Sequence, residues 1–220
     1  MNYTILKQSI ESITQITKSR NWDLNEEVVV QPAATQDEIE QLEKGLGKQL
    51  PSQLKELLTQ FSKGVNLFYT IEEDTPEEFS DISSGEFYYD LESILEINED
   101  YDGWVEASVD EEANDLEAVE ITKKIKDNKT VLFSVANGDL IVMDDLTQEV
   151  LYFDHEGDTM HGKTLEKSLK EFLIKLSKIG FIGKEGWQFE VLYNFESNRL
   201  MDVEEAKVQR WIEWLNEVTS

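Results

Sequence analysis

Apolar side chains recur at the helical period in several stretches of the chain, and as short β-branched or aromatic runs in several others. Residues 3–20 set Leu6, Ile10, Ile13 and Thr17 near one face of an amphipathic helix, with Ile5 and Ile16 beside it and Trp22 following. Val28–Val30 is β-branched and reads as a short strand that Pro32 ends. The most coherent stretch is Thr35–Gly64, two short helices with a sharp corner between them. Thr35 and Glu38 form a capping box, Ile39, Leu42 and Leu46 make the first stripe, and Gly47 and Pro51 stop it. Leu54, Leu57, Leu58 and Phe61 make the second stripe, closed by Gly64. Further on, Phe87–Tyr89 reads as a strand and Asp90–Ile97 as a short helix carrying Leu91, Ile94 and Leu95.

The clearest β pattern follows. Thr130–Val135, Leu140–Met143 and Glu149–Asp154 are three strands, joined by Ala136-Asn137-Gly138-Asp139 and by Asp144–Thr147. Asn-Gly suits a tight hairpin, so the three form an antiparallel meander. Leu165, Leu169, Phe172, Leu173 and Leu176 predict an amphipathic helix ending near Gly180. Trp187–Phe195 alternates enough to predict a strand. Asp202 with Glu205 is a second capping box, opening a helix over Val203, Lys207, Trp211, Trp214 and Val218. Its tryptophans are expected to dock it on the rest of the domain. No internal repeat or low-complexity linker interrupts the pattern.

Charge changes this picture most. The 220 residues carry 47 acids against 20 bases, a net −27. Gly64–Thr122 holds 20 of the acids and no Lys or Arg. Eight rings (Phe68, Tyr69, Phe79, Phe87, Tyr88, Tyr89, Tyr101, Trp104) are spread through that span, so it is folded with an acidic outer face and is not a solvated tail. Such a polyanion is repelled by nucleic acid and by anionic membranes, which makes a basic protein the natural partner. The expected contact surface is Glu72, Glu73, Asp74, Glu77, Glu78, Asp100, Asp102 and an exposed loop with Asp110, Glu111, Glu112 and Asp115. Tyr101 and Trp104 serve as aromatic anchors if they are exposed.

Candidate chemistry adds little. The chain has no cysteine, which removes disulfides and thiolate chemistry and suits a reducing cytoplasm. The start, MNYTILKQSIESITQ, has no signal-peptide pattern, and no window is apolar enough to span a membrane. No Gly-x-Ser-x-Gly or phosphate-cradling loop is present, and with so many acids any carboxylate pair is expected by chance. Asp154-His155-Glu156-Gly157-Asp158 with His161 offers metal ligands but reads as a polar connection. Asn98-x-Asp100-x-Asp102-Gly103 resembles half a calcium loop, yet Val109 stands where the bidentate Glu belongs. The expectation is a binding protein with no catalytic residues, cofactor or metal.

The spacing Thr35-x-x-Glu38-Ile39-x-x-Leu42-Glu43-x-x-Leu46-Gly47-x-x-Leu50-Pro51-x-x-Leu54-Lys55 resembles the SUKH superfamily, the Smi/Knr-type group of yeast cell-wall regulators and bacterial toxin-immunity proteins. Val131–Asp144, Val150–His155 and the Leu165–Leu176 helix continue the likeness, which covers about residues 28–178. It implies an α+β fold, a central mostly antiparallel β-sheet packed by helices. Here residues 1–180 form the domain, begun by the N-terminal helix, and a strand–helix extension, residues 181–220, docks on it. It also implies a binding function: an immunity protein neutralising a polymorphic or contact-dependent toxin, for instance a basic nuclease domain. The alternatives are a regulatory or scaffolding module without a toxin, and a carboxylate-based hydrolase, which requires two acids converging in a closed pocket.

Overall fold

The computed structural model describes all residues except 1–2, 73–74, 109–115, 158 and 218–220. Helix α1 (Tyr3–Ser19) buries Leu6, Ile10, Ile13 and Thr17, the stripe its period predicts. Two short strands follow, β1 (Asp23–Leu24) and β2 (Val29–Val30), and then the helix pair α2 (Gln36–Leu46) and α3 (Ser52–Gln60). The capping box is present. Thr35 Oγ1 accepts from the Glu38 N–H at 3.3 Å, and Glu38 accepts from the Thr35 N–H at 2.8 Å. Gly47 takes the left-handed conformation at φ +66° and ends α2. The corner has a further tie. Buried Glu43 accepts from the Leu50 N–H at 3.1 Å and pairs with Lys55 Nζ at 3.0 Å.

Gly64 opens a strand and does not close α3. The helix ends at Gln60, with Phe61 as its cap, and β3 (Gly64–Thr70) alternates buried with solvent-facing side chains. It pairs antiparallel along its whole length with β4 (Ser84–Asp90), while β1 and β2 share its other edge. Between β3 and β4 a 3-10 turn (Glu77–Phe79) sets Phe79 into the core. In this first sheet Val65, Leu67, Tyr69, Phe87 and Tyr89 point inward, and Asn66, Phe68, Glu86 and Tyr88 point out. Gly85 stands opposite Tyr69, whose ring lies over it and whose hydroxyl donates to the Gly180 carbonyl at 2.6 Å.

Beyond β4 the acidic span carries the helices α4 (Leu91–Glu99) and α5 (Tyr101–Ser108) and the first part of α6 (Leu116–Lys126). Asn98–Gly103 is therefore the junction of α4 and α5. Asn98 is spent on β5 (Lys129–Ser134), donating to the Val131 carbonyl at 2.9 Å and accepting from its N–H at 2.8 Å. The meander is as expected: β5, β6 (Leu140–Asp144) and β7 (Val150–Phe153) run antiparallel, and β8 (Lys163–Glu166) adds a fourth strand. Leu165 thus belongs to β8, and the helix predicted from it begins later, as α7 (Leu169–Lys178). Ser168 caps α7 by accepting from the Glu171 N–H at 3.2 Å, and a strand before that cap buries Leu165 as well as a helical turn does.

The meander is buried on both sides. Phe133, Ile141, Met143, Val150 and Tyr152 join the main core with α7, whereas Val131, Leu140, Val142, Leu151 and Phe153 form a second core with Tyr101, Val105 and Ile125. Tyr101 and Val105, like Ile121 and Ile125, are spaced i, i+4, so α5 and α6 turn apolar stripes inward and acids outward.

In the last forty residues the expected Trp187–Phe195 strand is instead helix α8 (Gly186–Val191) followed by a two-residue strand, β9 (Tyr193–Asn194), paired with β10 (Arg199–Leu200). Glu185 begins α8, and burying Phe189 against Tyr152 and Phe172 favours the helical turn over the weak alternation. Helix α9 (Ala206–Asn216) carries the tryptophans, and only the Glu205 half of its predicted capping box forms, accepting from the Asp202 N–H at 2.8 Å. Trp211 is fully buried, meets Phe79 edge-on at 5.4 Å and donates to the Ile179 carbonyl at 2.9 Å. Trp214 stacks on Trp22 at 5.8 Å, with the Arg20 guanidinium over both rings. Lys175, buried on α7, binds Glu166 at 2.9 Å, the Leu200 carbonyl at 2.7 Å and Asp202 at 3.0 Å.

Two outcomes follow from this packing. Gly85→Ala places a Cβ inside the Tyr69 ring, and urea denaturation is expected to show a loss of about 2–3 kcal/mol. Truncation after residue 180 strips Trp211, Leu200 and Leu215 from the main core, and circular dichroism of that fragment is expected to show no cooperative thermal transition.

Candidate functional site

The expected acidic surface is divided by the fold. Glu72, Glu77 and Glu78 are exposed beside the 3-10 turn, next to α9. Glu78 is already engaged there: Arg210 grips its carboxylate with Nε at 2.7 Å and Nη2 at 2.6 Å, and that bond holds its pKa below the ordinary range. Asp100 and Asp102 are exposed at the other end of the span, on the helices over the second core. Glu73, Asp74, Asp110, Glu111, Glu112 and Asp115 lie outside the described residues.

The two aromatic residues hold the interior of this region. Tyr101 is buried, stacks on Trp104 at 6.2 Å and donates its hydroxyl to the Ile125 carbonyl at 2.7 Å. The condition set for it as an exposed anchor is not met. Half-buried Trp104 lies on Phe153 at 5.7 Å and donates Nε1 to the Gly138 carbonyl at 3.0 Å. Both rings pin α5 to the meander. What they hold outward is a stripe of which the sequence reading named only Asp102: Glu92, Glu96 and Glu99 on α4 and Asp102 and Glu106 on α5, all exposed and without a cationic partner among the described residues. The signal was there as i, i+4 and i+7 spacing of acids opposite Leu91, Ile94 and Leu95.

A second polar site sits at the tip of the β5–β6 hairpin. Asp139, 1% exposed, accepts from Tyr152 Oη at 2.6 Å, Asn137 Nδ2 at 2.8 Å, the His155 N–H at 3.0 Å and His155 Nδ1 at 2.6 Å. Burial opposes its charge, but these bonds win and its pKa lies below the ordinary carboxylate value. His155 is raised, chiefly by the bond to Asp139. His161 is lowered, chiefly by burial, and its Nδ1 accepts from the Asp154 N–H at 3.2 Å.

Asp139, Asp154 and His155 bring ligand-type atoms within 4.8 Å of one another. The four donors to Asp139 occupy both of its oxygens, so the cluster is spent on closing the hairpin against β7 and leaves a cation little to bind. Beside it, Glu185 is raised by burial first and then by repulsion from Asp139 and Glu86, in a cleft of about 160 Å³. One raised and one lowered carboxylate is the arrangement a hydrolase uses, but sealed Asp139 offers substrate no free oxygen. A groove of about 470 Å³ between α2 and α4 is open and contains the Lys63–Glu38 pair.

An α+β domain with two antiparallel four-stranded sheets, its buried polar cluster turned to its own loops and its unpaired carboxylates turned out, is the class these features define. The chain belongs to the SMI1/KNR4 family (SUKH-1), whose sequence profile matches residues 33–175, a family known for toxin-immunity proteins and generally not for enzymes. No curated protein matches the chain. Among the described residues, no helix is long and apolar enough to cross a membrane.

The two histidines report on the hairpin cluster with opposite signs. His155 is expected to titrate above 6.5, so its contribution to stability is full below pH 6.5 and fades as pH rises through the raised value. His161 is expected below 6.5, contributing above that pH and losing the contribution as pH falls through the lowered value. Imidazole NMR titration checks both, and Asp139→Asn is expected to bring His155 down while His161 stays below 6.5.

Proposed function

We propose that this chain is a bacterial immunity protein of the cytoplasm that binds a cognate toxin and neutralises it, with a basic nuclease domain as the toxin class. The observation that carries this reading is the acid stripe of α4 and α5: Glu92, Glu96, Glu99, Asp102 and Glu106 face water with no compensating cation among the described residues. Packing does not need these carboxylates, because α5 is held by Tyr101, Trp104 and Val105. Their mutual repulsion destabilises the fold, and a basic partner relieves it. A nuclease must present cations to its own substrate, so an acidic stripe fits the same surface that nucleic acid uses. The family membership supports the reading, since immunity proteins are what the family is known for.

The mechanism is occlusion. The field of the stripe draws the toxin in, raising the rate of productive encounters at low salt, and the docked chain covers the cationic groove. The matching test has two parts. Expression of the chain is expected to rescue cells from one basic toxin of the same genome and not from unrelated toxins. Stopped-flow association with that toxin is expected to slow about tenfold between roughly 50 and 300 mM salt. Asp102→Lys with Glu106→Lys is expected to slow association further while leaving dissociation nearly unchanged. Rescue from no toxin, or association indifferent to salt and to the reversal, refutes the reading.

A further inference from the structure

The first sheet keeps one side open. Phe68 and Tyr88, each 36% exposed, and Val29, 39% exposed, belong to neither core, and no helix of the described residues packs across them. Their positions form a compact patch. Val29 lies opposite Asn66 and Asn66 opposite Tyr88, so the three make one row across β2, β3 and β4. Phe68 lies two residues along, opposite Glu86, which makes it the diagonal neighbour of Tyr88.

Carboxylates border the patch. Glu26 accepts from Asn66 Nδ2 at 2.7 Å, and Asp90 accepts from Tyr88 Oη at 2.8 Å. Neither has a cationic partner among the described residues. The cations that adjoin it are engaged elsewhere: Lys63, which lines the groove beside Asp90, pairs with Glu38, and Lys184, its side chain 4% exposed, has its Nζ 2.9 Å from Glu86 and 6.0 Å from the centre of the Tyr88 ring. An aromatic centre with a charged, hydrogen-bonded border is the anatomy of a protein–protein contact.

We propose that this open side of the first sheet is the docking surface for the partner, and that the occupant is a lysine- and arginine-rich face of a folded protein. The proposal rests on the immunity reading above and names the surface it uses. Charge complementarity chooses the occupant. A second copy of a chain with net charge −27 would bring like borders together, and a nucleic acid would meet the same repulsion. Cationic side chains suit both parts of the patch: their aliphatic stems cover Phe68 and Tyr88, their charged heads reach Glu26 and Asp90, and a guanidinium gains from lying over the rings. The steering stripe leads here, because Asp90 also caps α4 by accepting from the Ser93 N–H at 2.9 Å, so the acids of α4 begin at the border of the patch. The stripe then governs how fast the partner arrives and the sheet face governs how long it stays.

The test uses the full chain and, as probe, the purified inactive domain of the toxin from which the chain rescues cells. Phe68→Ala with Tyr88→Ala is expected to raise Kd at least 100-fold, almost wholly through faster dissociation, with association within about threefold of the parent. Asn66→Lys, which puts a positive charge mid-patch and leaves the rings in place, is expected to weaken binding by a similar factor and so guards against a folding artefact of the double variant. Retention of full affinity by both, with loss only on reversal of Asp102 and Glu106, overturns the sheet face while leaving the immunity reading intact. Absence of any toxin that the chain binds overturns both. Concentration-dependent dimerisation of the chain alone, abolished by Asn66→Lys, would assign the face to a second copy and also overturn the proposal.

Discussion

The meander β5–β8 offers water no side. Val131, Val142 and Leu151 point one way, and Ile141, Met143 and Tyr152 the other, so the sheet is stable only when covered twice. The first cover is the main core, built from α7, the helix pair α2–α3, α1 and the inner side of the first sheet. The second has to come from the acidic span, the segment poorest in compensating charge. It does so through Tyr101, half-buried Trp104 and Val105, joined by Ile125 just beyond the span; full burial of a large apolar side chain is worth about 1.5–3 kcal/mol. The acids of that span are outside because the rings and branched residues between them are needed inside.

This arrangement shapes the electrostatics. The span concentrates 20 carboxylates without a base, and the fold relieves the charge at only a few points. Arg210 takes Glu78, and Lys184 takes Glu86. Asp90 is spent as a helix cap. The remaining described acids of α4 and α5 are exposed, where water and salt screen them over about 8–10 Å. Screening keeps the domain folded, and the same exposure leaves the field free to act on a partner. The first sheet is the counterpart: Phe68 and Tyr88 stay 36% exposed on its outer side, outside both cores.

Much of the fold was legible before any coordinates. The helix pair, its capping box, the stripe of α1 and the strands of the meander were read from period and turn chemistry, because those features are decided within a few residues of one another. Misreadings came where local preference was weak. Trp187–Phe195 alternates loosely and became a helix once Phe189 found Tyr152 and Phe172. Leu165 fits a helical stripe, yet the cap at Ser168 starts the helix after it. In the acidic span the strand at Phe87–Tyr89 and the helix from Asp90 were read, but α5 and α6 were not, because charge masked the i, i+4 pairs that make them.

The sequence alone determined which segments are helices and strands at their strongest points, the family, and the segregation of charge, since each is a matter of spacing or composition. The candidate site was half visible at that stage: the acids were named, but which of them remain unpaired was not. Only the tertiary structure decided that Tyr101 is a core residue, that Glu78 belongs to Arg210 across 132 positions, and that Phe68 and Tyr88 stay open while Tyr69 and Tyr89, one residue on, are sealed. The physical reason is the same in each case. A strand puts neighbours on opposite sides, and which side meets water depends on the elements that pack against it from elsewhere in the chain.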